Sequence, residues 1–358
     1  MIWDVAICGG GPAGLAAAVH AARAGFSTLV LERTPGAADK ACGEGLMPRG
    51  LEAAERLSVL ADVPADDRAP FRGIRYVQED GSSVEARFRG GSGMGLRRTA
   101  LSEAVQRRAR EAGAEIRNAG VRALSGGRLD TDAGTVEARL VVAADGLNSA
   151  LRRAAGLELP VRGPRRFGLR RHLRLPPWSD LVEVHWSAGA EAYVTPVGPR
   201  RVNLAFLWQE DALAEKASFE SLLERFPALG ERVRGAAVES EARGAGPLSR
   251  RVKSRAAPGL ALIGDAAGYV DAITGQGLSL AFTSAERLVR VLPRDLREPA
   301  LTRALHRYDR SLRADWLRYA LPARGLLALA RRPALRHRAL SLLQRHPRWF
   351  SLLLRTVG

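Results

Sequence analysis

A buried-strand pattern over Ile2–Cys8 runs straight into Gly9-Gly10-Gly11-Pro12-Ala13-Gly14, and no other junction in the chain restricts its fold so tightly. A helical stretch follows and ends near Gly25. Ser27-Thr28-Leu29-Val30-Leu31-Glu32-Arg33 then reads as a second strand closing on a carboxylate. In a β-α-β unit the glycines of a G-x-G-x-x-G turn allow a tight reversal and let the backbone approach a pyrophosphate, whose charge is held by the helix N-terminus. Glu32 stands 18 residues beyond Gly14, a separation at which a carboxylate can accept hydrogen bonds from an adenosine ribose. The glycines alone fit a turn in other α/β proteins. Strand, helix and acid together point to a dinucleotide site that includes Gly9, Gly11, Ala13, Gly14, Glu32 and Arg33.

At 358 residues, with 46% hydrophobic and 26% charged side chains, the chain has the composition of a globular protein with an extensive core. No run of about 18 apolar residues occurs, so no membrane-spanning helix is expected. The first strand starts at residue 2, which leaves no space for a signal peptide before it, and a cytoplasmic location is expected. Two cysteines, Cys8 and Cys42, make neither a disulfide framework nor a metal site. The net charge of +17 suggests nucleic acid at first sight, but 52 of the 55 basic residues are arginine, as a base-composition bias would also produce. Fifteen arginines against four carboxylates fall in residues 293–358, far along the chain from the nucleotide turn. No nucleic-acid partner is expected.

A loop over 34–50 and a helix over 51–60 follow the first unit. Phe71 to Phe88 reads as a hairpin turning at Asp80-Gly81. A helix over 98–112 precedes strands at 115–118 and within 136–144. The second of these, Leu140-Val141-Val142-Ala143-Ala144, meets Asp145-Gly146 and has the character of a central parallel strand. From about Arg165, short alternating segments at 181–186, 191–195 and 201–208 predict an antiparallel meander. Leu260–Ile263 returns to buried-strand character before Gly264-Asp265 and a helix over 278–292. The pattern predicts an α/β fold: a Rossmann-type cofactor domain split into 1–70, 95–160 and 250–292, an inserted antiparallel β-sheet substrate platform from 71–94 and 161–249, and basic amphipathic C-terminal helices over 293–358. Gly90 to Gly95 lacks a flanking strand and helix, so no separate nicotinamide domain is expected.

The nucleotide turn, Asp145-Gly146 and Gly264-Asp265-Ala266-Ala267-Gly268 stand in the order and spacing of FAD enzymes of the aromatic-hydroxylase type. The chain resembles that superfamily over essentially its whole length. Lys40-Ala41-Cys42-Gly43-Glu44-Gly45 and the segment from Asp265 to Gly277 are similar to its geranylgeranyl-reductase branch. Cys42 to Pro48 is also similar to bacterial flavoprotein hydroxylases of polyketide or phenolic-lipid products. The resemblance implies FAD as cofactor and NAD(P)H as a transient electron donor. It places Arg98 on the FAD phosphates, with Arg97 as the competing candidate, and Val121 beside adenine. It puts Cys42, Gly43 and Gly45 in the loop next to the isoalloxazine and Asp265 on the ribityl chain; a helix N-cap is the other reading of Asp265. Asp145 lies near the pyrophosphate or is simply a turn former. Gly275, Gly277 and Leu278 begin a helix whose N–H groups can face the flavin edge where negative charge develops on reduction, and a bulky residue at Gly277 should block that approach. No base is visible near Cys42, which makes it a lining residue rather than a nucleophile.

Two reactions share this cofactor. The favoured one is an FAD-dependent monooxygenase that hydroxylates an aromatic or polyketide/phenolic-lipid-like molecule through a flavin C4a-hydroperoxide. Glu191-Ala192-Tyr193-Val194-Thr195-Pro196 departs from the aromatic-rich strand expected of prenyl reductases, and so places alkene reduction second. A non-catalytic flavin- or lipid-binding protein is the alternative from another class. Halogenation is not expected, because the Trp-x-Trp-x-Ile-Pro signature is absent. The partner is a small hydrophobic or aromatic substrate. Tyr193, Trp186 and Trp208 are the candidate pocket residues; they and Phe206 either project onto the flavin face or pack the meander's core. His172 and His185 are proton shuttles by residue type only, and no catalytic acid or base is assigned. In 316–358, apolar stripes at 326–330, 340–343 and 349–354 alternate with arginines, and Pro333 and Pro347 break the stretch into short helices. The stripes pack over the substrate pocket or rest on an anionic bilayer, as a peripheral contact at the inner face of the membrane. Both can hold at once.

Overall fold

The computed structural model describes residues 1–89, 91–161, 163–212, 217–346 and 348–350. Val5, Ala6, Ile7 and Cys8 are apolar on both sides of their strand and all are buried, as a central parallel strand covered by helices requires. The Ile2–Cys8 strand lies between Thr28–Glu32 and Gly134–Ala143, parallel to both. Leu260–Leu262 adds beside Gly134–Ala143 and Glu115–Asn118 beside Thr28–Glu32, again parallel. In register, Cys8 pairs with both Leu31 and Ala143, and Ala143 with Leu262. Four strands therefore end together, and the loops that follow them gather along one sheet edge, where ligands of such sheets collect. The helices Pro12–Arg23, Arg98–Glu111 and Gly277–Val291 start from or near that edge.

A hairpin of Val121–Ser125 and Arg128–Thr131 extends this sheet through the first half of Gly134–Ala143. Its strands are short and largely exposed, so apolar alternation does not announce it; the signal is Gly126-Gly127, both at positive φ in the turn.

The second sheet joins Arg166–Arg174, Arg201–Gln209, Ala190–Gly198 and Val182–Ser187, each antiparallel to the next. Gly73–Val77 then pairs with Val182–Ser187 in parallel, and Ser83–Arg87 closes the edge as an antiparallel hairpin. The expected antiparallel platform thus contains one parallel junction. The Gly73–Val77 strand arrives from far upstream rather than through a hairpin turn, so nothing forces the antiparallel sense. Along Ala190–Gly198 the alternation is plain. Ala190, Ala192 and Val194 pack with Phe206, Phe219 and Phe226 on one face, leaving Glu191, Tyr193 and Thr195 on the other.

Residues Ala300–Ala330 form one continuous helix that carries Pro322 in its interior. Proline removes one backbone donor there, yet Tyr319, Ala320 and Ala323 are fully packed around it and hold the turn. The short-helix expectation is corrected to that extent. Pro333 does open a new helix, Pro333–Arg345; Pro347 and residues 351–354 lie outside the described residues. Among the described residues no helix is long and apolar enough to cross a membrane.

Candidate cofactor and substrate site

Gly9 has φ +117, and a Cβ there would overlap the Ala144 carbonyl; a Cβ at Gly14 would overlap the carbonyl of Gly9. Those two glycines let helix and strand approach each other. Gly11 differs, because no atom lies within 4 Å of where its Cβ would be. That open side fronts the first turn of Pro12–Arg23, whose amides carry no side-chain cap and no acidic neighbour. An anion would complete it. The Glu32 carboxylate accepts from the Gly10 N–H at 2.6 Å and the Thr34 N–H at 2.9 Å, so it braces the glycine turn. Glu32 pairs with Asn118 across the sheet, and a Cβ at Gly120 would lie 3.6 Å from Arg33. Val121 follows directly, which brings Glu32, Arg33 and Val121 to one corner.

Arg97 and Arg98 separate cleanly. Arg97 ion-pairs with Glu44 at 3.1 Å and Asp39 at 3.4 Å. Arg98 keeps a buried Nε with no hydrogen-bond partner among the described residues, while its guanidinium acts on Lys40, Cys42 and Asp265 together. Burial raises the Asp265 carboxyl, and Arg98, Lys40 and Arg152 oppose that rise. Burial likewise raises the Cys42 thiol, against Arg98, so the sulfur stays protonated and lines the site. A Cβ at Gly264 would sit 2.8 Å from Ala13, which seats the Gly264-Asp265 turn against the start of the first helix. Asp145 accepts from the Leu151 N–H at 3.2 Å through one oxygen and leaves the other buried without a partner among the described residues.

On this edge, Gly43 and Gly275 also have no neighbour within 4 Å of a Cβ position. At Gly277 a Cβ would meet the Tyr269 side chain at 3.7 Å, an ordinary contact, so a single methyl is accommodated. Leu278 is buried behind it. Open glycines on three loops and buried atoms on Arg98 and Asp145 that have no partner among the described residues are what FAD would fill. The residues fit the cofactor.

Glu44, a member of the Lys40–Gly45 motif with no role that the sequence alone assigns, organises one wall. It is fully buried at φ +58, a backbone state that costs a non-glycine residue about 1–3 kcal/mol. Its carboxylate accepts from the Arg98 N–H at 2.8 Å, from Arg97, and from His172 Nε2–H at 2.6 Å. Burial alone would raise this carboxyl; the His172 hydrogen bond and the Arg97 charge outweigh it and hold it below its ordinary value. His172 is thereby a structural partner rather than a free shuttle, and no sequence signal links it to a residue 128 positions away. A carboxyl depressed in the folded state stabilises the fold above its ordinary pKa and loses that contribution as pH falls through the depressed value. Glu44→Gln is expected to destabilise the protein at pH 7 by roughly 2–3 kcal/mol and to flatten the acid limb of stability below pH about 4.5. Thermal melts of both proteins across that range check it.

The sheet face opposite the phenylalanine cluster roofs the same edge. Thr195 would touch a Cβ at Gly45 at 3.8 Å, and the Asn203 amide donates to the Cys42 carbonyl at 2.8 Å. Glu191 is held by buried Arg166, whose Nε donates to Asp271 of the Asp265–Gly277 loop at 2.9 Å. Tyr193 lies between Thr195 and Glu191 on this strand, between the side chain that nears Gly45 and the one that Arg166 ties to Asp271. Its hydroxyl is buried without a partner among the described residues, as is Trp186 Nε1. Trp186 is farther out, edge-on to Tyr76 and stacked under Arg336. Trp208 does not reach the pocket: it pairs with Ala190 and packs with Phe206 in the cluster on the other face. His185 also points away and sits 3.1 Å from Glu183.

Residues 3–316 match the family described as an FAD binding domain. The chain belongs to that family. It is an FAD-dependent oxidoreductase of the aromatic-hydroxylase superfamily, on its geranylgeranyl-reductase-like branch. It is 31% identical over 300 residues to digeranylgeranylglycerophospholipid reductase 1 of Methanopyrus kandleri, covering 78% of each chain. It is 29% identical over 303 residues to the menaquinone reductase of Mycolicibacterium smegmatis, covering 77% of this chain and 72% of the relative. A flavin-dependent brominase shares the fold at TM-score 0.85 and 19% identity, over 100% of this chain and 94% of the other. A geranylgeranyl bacteriochlorophyll reductase-like protein from Thermoplasma acidophilum shares it at TM-score 0.78 and 22% identity, over 92% and 88%.

Proposed function

We propose that this flavoprotein reduces a carbon–carbon double bond in an apolar, isoprenoid-like substrate that carries an oxygen-bearing head group. The observation that carries the reading is the Tyr193 hydroxyl, buried and without a partner among the described residues, on the strand between Thr195 beside Gly45 and Glu191 tied to Asp271. Around it the walls are apolar: Trp186, Leu326 and Tyr76 to one side, Ile273, Tyr319 and Ala323 to the other. A buried donor without a partner is costly unless a ligand oxygen satisfies it. The reductase relatives supply the reaction class, and they move alkene reduction ahead of the hydroxylation that the strand 191–196 favours.

FAD held by the Gly9–Gly14 turn, Arg98 and Asp265 and reduced by a donor such as NAD(P)H would supply the hydride chemistry, and a proton would complete the addition of two hydrogens across the double bond. The chain's own part is to exclude water with the C-terminal helices and to fix the substrate oxygen at Tyr193. Burial raises the Tyr193 hydroxyl well above its ordinary pKa, so it remains a donor at every working pH. Incubation with a prenylated quinone, FAD and NADPH or dithionite under anaerobic conditions should yield a product heavier by two hydrogens. Tyr193→Phe should raise KM roughly three- to tenfold with little change in kcat.

Hydroxylation of a phenolic ring is the second reading, because the same Tyr193 hydroxyl, without a partner among the described residues, fits a phenol oxygen. A product gaining one oxygen, formed only in air, would put it first.

A further inference from the structure

We propose that the two C-terminal helices form a docking surface for an anionic lipid bilayer. This goes beyond the reaction assigned above and does not rest on it. In Ala300–Ala330 the side chains turned to the protein include Tyr308, Leu312, Tyr319 and Ala323. At 100° per residue, Ala314, Leu317, Leu321 and Ala328 fall together on the opposite stripe. Leu317 is 52% and Leu321 59% exposed, one turn apart. The helix Pro333–Arg345 repeats the arrangement: Arg336 and Leu340 point inward, Leu335 and Leu342 outward, and Trp349 beyond it is 54% exposed. Of the nine large apolar side chains that stand exposed among the described residues, four are in these helices and a fifth, Trp349, lies just beyond them. Scattered surface leucines need no explanation, but a concentration of this kind marks an interaction surface.

The charge identifies the partner. Asp315 is taken up by Arg287 at 2.8 Å, and no carboxylate follows it in the sequence. Arg336 is consumed inside, paired with Glu79. Arg318, Arg324, Arg331, Arg332, Arg338 and Arg345 are exposed and make no ion pair among the described residues. Unpaired arginines flanking an apolar stripe match phosphate headgroups above acyl chains. A nucleic acid would match the arginines and leave the leucines and Trp349 unused. A second copy of the chain would bring the same positive surface against itself. The inward side of these helices covers the Tyr193 space through Tyr319, Ala323, Leu326 and Leu340. One pair of helices thus has a bilayer side and a pocket side.

Flotation of the FAD-loaded full chain, without substrate, tests the proposal. Vesicles of phosphatidylglycerol and phosphatidylcholine in equal parts should carry the protein up; phosphatidylcholine alone should not. Arg318→Gln with Arg324→Gln should weaken binding roughly fivefold per arginine. Leu317→Ser with Leu321→Ser should weaken it about tenfold or more at unchanged charge. Retained FAD absorbance and an unshifted melt show that each variant is folded. Equal flotation on neutral vesicles would overturn the proposal. So would leucine variants that bind like the parent while arginine variants lose both vesicles and duplex DNA, which would make the surface a general polyanion site. Sedimentation showing a dimer that the leucine variant dissociates, with vesicle binding unchanged, would assign the stripe to a second copy instead.

Discussion

Arg166→Met is expected to lower the unfolding free energy by about 3–5 kcal/mol, the loss typical of leaving buried charge unpaired. Arg166 is buried between the strand of Glu191 and the loop of Asp271, and donates to both carboxylates, at 2.6 Å and 2.9 Å. Its removal leaves two carboxylates facing each other in a dry interior. Asp271 also receives the Ile273 N–H at 3.0 Å, and its backbone carbonyl accepts from the Tyr319 hydroxyl at 2.6 Å. The loss therefore spreads from the sheet to the Gly275–Gly277 turn and the long C-terminal helix, and FAD affinity should fall with stability. Arg166→Lys keeps the charge but not the two-pronged geometry, and should recover only part of the difference. Urea unfolding of the three proteins checks the order. A loss under about 1 kcal/mol for Arg166→Met would show that the triad is not the tie between sheet and loop.

The second large effect comes from contrasting two glycines of one turn. Gly14→Val drives its Cβ into the Gly9 carbonyl, and should cost about 3 kcal/mol or more in the apoprotein while abolishing FAD binding. At Gly11 an added Cβ meets no atom within 4 Å among the described residues, so Gly11→Val should leave the apoprotein melt nearly unchanged. It should still weaken FAD about a hundredfold, close to 2.7 kcal/mol, because the side chain occupies the space facing the helix start. Melting without cofactor and FAD titration by fluorescence separate the two roles. Equal behaviour of the two variants in both measurements would mean that the open side of Gly11 is not where the pyrophosphate lies.

The nucleotide turn was legible because its constraints are local. Gly9, Gly14 and Glu32 act within one β-α-β unit, and the distances between them in the sequence are set by helix and strand lengths. The central strands were legible for a related reason: Val5–Cys8 and Leu140–Ala144 are apolar throughout, which a parallel sheet covered on both faces demands. What escaped was long-range pairing. Nothing near His172 announces Glu44, and nothing near Arg166 announces Asp271, because each pair meets only after the β-platform folds back on the cofactor domain. Trp208 shows the same limit inside one strand. Alternation says that it shares a face with Phe206, but which face meets the cofactor depends on the helices at Phe219 and Phe226 claiming the other side. Pro322 gives the opposite case: a proline's local propensity argues for a break, and the packing of Tyr319 and Ala323 holds the helix through it.

A crystal structure of the protein reconstituted with FAD tests the central assignment most directly. The account expects the pyrophosphate over Gly11 and the start of Pro12–Arg23, Arg98 on the phosphates, and the isoalloxazine between Cys42–Gly45 and Gly275–Leu278 with Tyr193 above it. A flavin ring lodged elsewhere, with Tyr193 still sealed in protein, would contradict both the site and the substrate position derived from it.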